Sequence, residues 1–462
     1  MADFDSIIIG TLVTEEGVTE RGFVAVAGER IAAVGSGPAP TARETFDFGD
    51  AYVMPGVIDG QVHSRSQAGQ EDFVWSTRSA AAGGVTTIVD MPYDDGSLIC
   101  TAELVTGKAE SAAAQARVDF ALYGTIRPSD GTAHIAAMAE AGAIGFKFST
   151  FETHPDRFPR IATPLLHEAF AEVAKTGLVA GVHNENDECV RAWSRAVAAS
   201  GVTDWRAHGA SRPAISETLA IAEVYEIGAD TGCRSHIVHC SVGRGYEIAE
   251  AYRDQGFEAT IEACIHYLVL SEEDDVSRLL GKAKCNPPVR SRAEREAIWA
   301  HLGAGNVTIV STDHVSWSLS RKSSPVMLEN ASGMPSLEVL ASLLVDGLTE
   351  RGLPLTHAAR LLAGNPARLF RISDRKGALQ VGLDADVAVL AERPRHYDPA
   401  ASGHNIVHWS PYEGRLIRHR PIATFLRGRM IYDGTDVLAE PGSGRFVKAA
   451  RPFAATVPAP GA

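Results

Sequence analysis

The chain has 462 residues and carries 43 Lys and Arg against 57 Asp and Glu, a formal net charge of −14. With 45% hydrophobic and 22% charged residues, its composition is that of an ordinary globular protein. The acidic balance supplies neither the basic footprint that a phosphate backbone demands nor a polybasic face for anionic lipid, so no nucleic-acid partner and no membrane partner is expected.

The length suits two to four domains of roughly 100–200 residues, or one large barrel with an appendage. The opening Met1-Ala2-Asp3-Phe4-Asp5 reads as neither a signal nor a transit peptide, and no run of about 18 apolar residues follows. Six cysteines, Cys100, Cys189, Cys233, Cys240, Cys264 and Cys285, stand singly without a CxxC pair. Such spacing predicts reduced, buried thiols and a cytoplasmic setting rather than a disulfide framework.

Residues 1–54 read as short strands at 6–9, 22–26, 31–34 and 51–53, broken by Gly17, Gly28-Glu29 and the run from Gly35 to Pro40. After Pro55 the pattern changes. Eight short apolar runs, at 57–63, 85–91, 118–123, 143–148, 178–183, 235–239, 258–263 and 307–312, alternate with stretches of helical period such as 103–116, 134–141, 165–176, 216–228 and 244–255. Near-continuous apolar strands between helices indicate a parallel sheet covered on both faces, and eight such units match a (β/α)8 TIM barrel. A doubly wound open sheet is the alternative, but no GxGxxG opens the first helix to support it. Runs at 386–390, 422–427 and 429–432, the last two around a turn at Gly428, then return to the opening style. The expected fold class is α/β: a barrel domain of residues 55–371 with a small β-sandwich domain assembled from residues 1–54 and 372–462.

The ends of the barrel strands carry the chemistry. Strand one ends in Gln61-Val62-His63, strand four carries Lys147, strand five ends in His183, strand six in His239, and strand eight in Asp313-His314. A barrel brings these ends to the one face where its active sites form. A lone His behind a strand is commonly a satisfied core or loop residue; three of them, with a carboxylate on the last strand, point to a metal centre. Imidazole and carboxylate ligands suit zinc and its neighbours, and an open coordination position lowers the pKa of a water towards about 7. Asp313 is of the type both to ligate and to take that water's proton. A charged lysine is costly to bury in an apolar strand. Lys147 is therefore either neutralised or paired near a rim, or carboxylated by CO2 into an anionic ligand that bridges two metals.

Pro55-Gly56-Val57-Ile58-Asp59-Gly60-Gln61-Val62-His63, Gly145-Phe146-Lys147, His236-Ile237-Val238-His239-Cys240-Ser241, Ser311-Thr312-Asp313-His314 and Gly382-Leu383-Asp384-Ala385-Asp386 resemble the amidohydrolase superfamily. Within it the chain is similar to the cyclic amidohydrolases: hydantoinase, dihydropyrimidinase, allantoinase and dihydroorotase. The late Ser410-Pro411-Tyr412-Glu413-Gly414 resembles the hydantoinase and allantoinase branch. The resemblance implies a metal-dependent hydrolase that opens a small cyclic amide, imide or ureide at a non-peptide C–N bond. It implies one or two divalent metals per chain, zinc before manganese or cobalt, bridged by carboxylated Lys147. His183 and His239 would hold one metal; Gln61, His63 and Asp313 would hold the other, with Asp313 also the catalytic proton carrier. A homotetramer or homodimer is implied as well.

Departures from the family pattern keep rival readings open. The family usually has His where this chain has Gln61, and an amide oxygen is a weaker, neutral ligand. Gln61 also motivates a non-catalytic scaffold on the same fold. Arg65 follows His63 by two, as in dihydroorotases, where the guanidinium binds a substrate carboxylate; a dihydroorotase-like reaction on a carboxylated ring is the second enzymatic reading. Tyr93 stands where dihydroorotases have Asn, and Glu152 where hydantoinases have Tyr. Asn286 and Ser332 occupy stretches that contact the cyclic amide in hydantoinases. Arg65, Tyr93, Asn286 and Ser332 are thus the expected substrate-binding residues, with Phe151, His266, Tyr267 and Trp317 as further candidates for the pocket wall. His314 is expected to face away from the metal, and Cys285 to be a bystander.

Overall fold

The computed structural model describes residues 4–67, 69 and 71–450. Four strands open the chain: β1 (Phe4–Val13), β2 (Val18–Ala27), β3 (Arg30–Ser36) and β4 (Ala42–Pro55). β2 and β3 join through a two-residue turn whose Gly28 takes φ +62, a conformation glycine adopts without strain. β4 runs parallel to β1. Its register jumps from Ile9 opposite Asp47 to Thr11 opposite Tyr52, so the strand bends as it crosses towards the barrel. A Cβ at Gly56 would run into the Thr86 side chain, so only glycine lets the chain turn from one unit directly into the next.

The barrel strands follow: β5 (Val57–Val62), β6 (Val85–Asp90), then a small hairpin of β7 (Tyr93–Asp94) and β8 (Ser97–Leu98), then β9 (Asp119–Gly124) and β10 (Gly145–Ser149). β11 (Val179–His183), β12 (Arg234–Ile237), β13 (Ala259–Cys264) and β14 (Ile309–Ser311) complete the set. Their order is β5-β6-β9-β10-β11-β12-β13-β14, each neighbour parallel. The ring closes where His63 N–H donates to the His314 carbonyl at 2.9 Å and Val62 bridges to His314. Nearly every residue of these strands is buried, as a sheet covered on both faces requires.

Helices cover the outside, most of them burying one apolar face, while Leu340–Glu350 is buried almost all round. Thr163–Thr176 shows the rule: Leu166, Ala169, Phe170 and Val173 recur at helical spacing and are buried, and Gly177 in the left-handed region ends the helix. The helices expected at 103–116, 134–141, 216–228 and 244–255 are Ala102–Ala113, Ile135–Ala141, Ala214–Thr231 and Gly243–Asp254. Among the described residues no helix is long and apolar enough to cross a membrane.

The chain returns to the first sheet with β15 (Val387–His396), β16 (Leu416–Leu426) and β17 (Arg429–Tyr432), giving one seven-stranded sheet ordered β17-β16-β15-β4-β1-β2-β3. Phe46 on β4 and Phe425 on β16 belong to strands that are not neighbours, yet their rings meet at 5.2 Å. The sheet therefore folds over a core of its own that holds Ile8, Val24, Val53 and Val387. Two C-terminal stretches leave this unit, which was expected to run from 372 onward. The connection between β15 and β16 lies on the barrel: Trp409 Nε1 donates to the Trp317 carbonyl at 2.8 Å, and Ser79 Oγ to the His404 carbonyl at 2.6 Å. Residues 445–447 pair with β9, Phe120 N–H donating to Arg445 and Val447 N–H to Phe120.

Lys376 staples the two units. Its ammonium lies 2.8 Å from Asp119 on β9, 2.6 Å from Asp386 and 3.4 Å from Asp384, and Arg427 also pairs with Asp119. These three carboxylates lie close enough together to hold a cation. Lys376 and Arg427 already neutralise them, so the cluster is a buried ion-pair network at the junction.

Candidate active site

The strand ends deliver their side chains to one cleft of about 590 Å³, lined by Gln61, His63, Lys147, His183, His239 and Asp313 together with Tyr93, Asn286 and Ser332. On one side Asp313 Oδ1 lies 3.3 Å from His63 Nε2 and accepts from Gln61 Nε2 at 2.8 Å. On the other, His183 Nδ1 and His239 Nε2 face each other at 3.0 Å. Lys147 stands among them on β10: Asp313 acts on its ammonium, and it in turn helps to depress the pKa of both His183 and His239.

Burial sets the electrostatics. It draws Lys147 down to about 7 against the pull of Asp313 and Glu262. It also lowers His183, despite Glu185, and drives His239 well below the usual imidazole range. Both imidazoles are thus held neutral, the form in which a ring nitrogen can ligate. Asp313 and His239 both take positive φ, 48° and 44°, a conformation rare for their residue types and concentrated at functional sites.

A second layer fixes the rings. His183 Nε2 is 2.8 Å from Glu185 Oε2, which Arg212 grips in turn. Burial would raise the Glu185 pKa, but Arg212 and His183 outweigh it and hold the carboxyl ionised. With Nε2 donating to Glu185, the Nδ1 lone pair of His183 is the one left for the cleft. Asp59 ties the two ends of the barrel together: it accepts from Thr312 N at 3.1 Å, Thr312 Oγ1 at 2.5 Å and Gln61 N at 3.2 Å. His314 faces away as expected, its Nδ1 accepting from Ser336 N at 3.1 Å and its Nε2 lying 3.0 Å from Glu71.

The donor set fits a divalent metal. Gln61 Oε1 is buried without a hydrogen-bond partner, and ring nitrogens of His183 and His239 converge in the cleft, 3.0 Å apart. Imidazole, carboxylate and amide oxygen are all ligand types for zinc, manganese or cobalt.

The expected substrate residues divide. Tyr93, Asn286 and Ser332 line the cleft; Ser332 Oγ donates to Asn286 Oδ1 at 3.1 Å, and the Tyr93 hydroxyl is held by the Lys147 carbonyl at 3.1 Å. Arg65 does not, and this corrects the expectation. Its guanidinium turns outward to Asp72 (2.8 Å) and Ser111 (2.6 Å) over the ring of Phe73, because a carboxylate and an aromatic face lie within reach on the neighbouring helices. Glu152, at the position of the hydantoinase tyrosine, also points outward, 3.2 Å from Arg191. Trp317 lines the cleft, whereas Tyr267 donates to the Pro287 carbonyl outside it. Arg157 and Phe158, which the sequence did not single out, line it too. Cys285 is buried with its thiol on the Pro287 carbonyl, and no disulfide forms among the described residues.

Comparison with known proteins agrees with this geometry. The sequence profile of the amidohydrolase family matches residues 52–430. The chain belongs to the amidohydrolase family. Within it the chain is a cyclic amidohydrolase: it is 37% identical to the allantoinase of Rubrobacter xylanophilus over 454 residues, covering 98% of this chain and 99% of that one. It is 31% identical to the L-hydantoinase of Paenarthrobacter aurescens, over 96% of this chain and 98% of the relative. Among solved structures, the L-hydantoinase from Arthrobacter aurescens superposes with a TM-score of 0.92 at 31% identity, covering 96% of this chain and all of that one. The amidohydrolase barrel and its accompanying sheet are common to both.

Proposed function

We propose that this amidohydrolase opens a five-membered cyclic ureide, of the allantoin or hydantoin kind, at an amide C–N bond, and that a divalent metal is required. The observation that carries the reading is the convergence of Gln61, His63, Lys147, His183, His239 and Asp313, drawn from five separate strand ends, on one cleft. The full-length likeness to an allantoinase and an L-hydantoinase supports the ring class. Zinc fits the ligand types best, with manganese or cobalt as substitutes.

His183 and His239 would hold one metal, and Gln61 Oε1, His63 and Asp313 a second. When bound, such a metal supplies Lewis acidity, polarising the substrate carbonyl and acidifying water. Lys147, drawn towards neutrality by burial, has the free amine that adds to CO2: the N–C bond forms, one proton leaves, and the resulting carbamate would add an anionic ligand beside His183 and His239, which bring none of their own. Asp313 takes the proton of the attacking water and returns it to the ring nitrogen as the C–N bond breaks, giving a carboxylate and a freed urea nitrogen. Asn286 and Ser332, bonded to each other at the rim, orient the amide edge of the ring. The six thiols suit a reducing, cytoplasmic setting. A dihydroorotase-like reaction through Arg65 loses its support, since that guanidinium is engaged elsewhere.

Hydrolysis of allantoin, hydantoin, dihydrouracil and dihydroorotate by zinc-supplemented protein tests the reading. Ring opening of the first two is expected, and Asp313→Asn should lower kcat by about 10²–10⁴. A wild type that opens neither allantoin nor hydantoin overturns it.

A further inference from the structure

We propose that Arg157 sets the substrate preference of this site, binding an oxygen-bearing polar arm on the ring, a ureido carbonyl or a carboxylate, in preference to an apolar arm. The inference rests on the cyclic-ureide reading and specifies which ring. Arg157 lines both the inner cleft beside the metal-ligating side chains and the mouth outside it, where Asp95, Trp317 and Arg321 also lie. Among the described residues of its loop it is the one that lines both spaces. An arm projecting outward from a ring bound over Lys147 would enter the space that Arg157 lines.

The loop holds Arg157 there by fixed contacts. His154 and Phe158 close it, with Phe158 N–H donating to the His154 carbonyl at 2.8 Å. The His154 ring nitrogen accepts from Asp156 N at 3.2 Å and Arg157 N at 3.3 Å. Phe158 is pinned over the site, 4.1 Å from the Tyr93 ring and edge-on to His183 at 5.6 Å. Arg157 is therefore carried on a braced turn rather than on a free tail, and little ordering remains to be done when an acceptor arrives.

Its charge is the part left uncommitted. Burial weighs against the guanidinium, and Asp95 and Asp94 favour it from a distance, but neither closes an ion pair with it among the described residues. Asp94 is committed to Lys108 at 2.5 Å. Arg321, stacked 4.8 Å over Trp317, adds a second positive charge at the mouth. A half-buried arginine lining the cleft offers a planar fork that is matched by a planar acceptor such as a carboxylate or a urea carbonyl. An alkyl or benzyl arm would desolvate it without replacing its hydrogen bonds.

The test is the ratio of kcat/KM for allantoin to that for unsubstituted hydantoin, with hydantoin-5-acetate and 5-benzylhydantoin as the carboxylate and apolar arms. Wild type should favour the two polar arms over benzyl. Arg157→Leu should lower the allantoin-to-hydantoin ratio at least about tenfold, chiefly through KM, and shift preference towards benzyl. Arg157→Lys should recover part of the ratio, showing that charge rather than folding was lost. If both variants lower all four rings in proportion, or leave the ratio unchanged, the inference is overturned while the cyclic-ureide reading stands. A wild type that opens no ring overturns both.

Discussion

At the scale of single residues, the side chains that face the cleft depend on partners outside it. His183 is oriented by Glu185, and Glu185 by Arg212. On the opposite side His314 is clamped between the Ser336 amide and Glu71, while its carbonyl accepts from His63 N–H. This clamp holds Asp313 through its chain neighbour and anchors the segment that follows His63. Glu71→Ala removes the carboxylate acceptor of the buried His314 N–H and leaves it only Ser316 Oγ at 3.2 Å, which should cost about 1–3 kcal/mol and lower the urea midpoint. Glu71→Gln keeps an acceptor and should recover most of that loss. Equal urea midpoints for wild type and Glu71→Ala would show that the clamp carries nothing. No sequence pattern marks Glu71 as the partner of His314 or Arg212 as the partner of Glu185, since both contacts are made by folding, whereas Glu185 stands only two residues from the histidine it orients. The cleft-facing residues themselves were legible, because each stands at or near the end of an apolar strand that a barrel must bring to one face.

At the scale of elements, the barrel strands were readable because a parallel sheet buried on both faces demands continuous apolar runs. The helices were readable from their 3.6-residue period. Loops obey no period, and there the sequence misleads: Arg65, two residues from His63, turns to Asp72, while Arg157, on an unpatterned turn, lines the cleft. The connection between β15 and β16 was likewise invisible, being held to the barrel by scattered contacts. Among them is Glu338, half-buried on the short turn Leu337–Val339 and accepting from Tyr397 at 2.9 Å and Ser402 at 3.0 Å. Burial raises its carboxyl to about 7, against the hydrogen bonds from Tyr397 and Ser402. A carboxyl raised in the folded state stabilises fully below its ordinary value near about 4.3, and that contribution is lost as pH rises through about 7. Glu338→Gln cannot ionise, so its thermal midpoint should gain on wild type between pH 5 and pH 8. Parallel pH curves for the two proteins would place the Glu338 titration outside that window.

At the scale of the whole molecule, the site exists only because the barrel closes. Gln61 and His63 on β5 meet Asp313 beyond β14 across more than half the chain, and Asp59 joins the two ends at Thr312. The sheet built from both termini is tied to the same barrel through Lys376 and its three carboxylates, so the appended unit braces the ring rather than hanging from it. The central claim is that this closure assembles a metal centre. Metal content per chain, by elemental analysis of protein purified without chelator, tests it most directly, with His183→Ala as the comparison. We expect between one and two divalent ions per wild-type chain, two if Gln61 Oε1 serves as a ligand, and a marked loss in His183→Ala. A wild-type protein carrying well under one ion per chain after zinc supplementation would contradict the account.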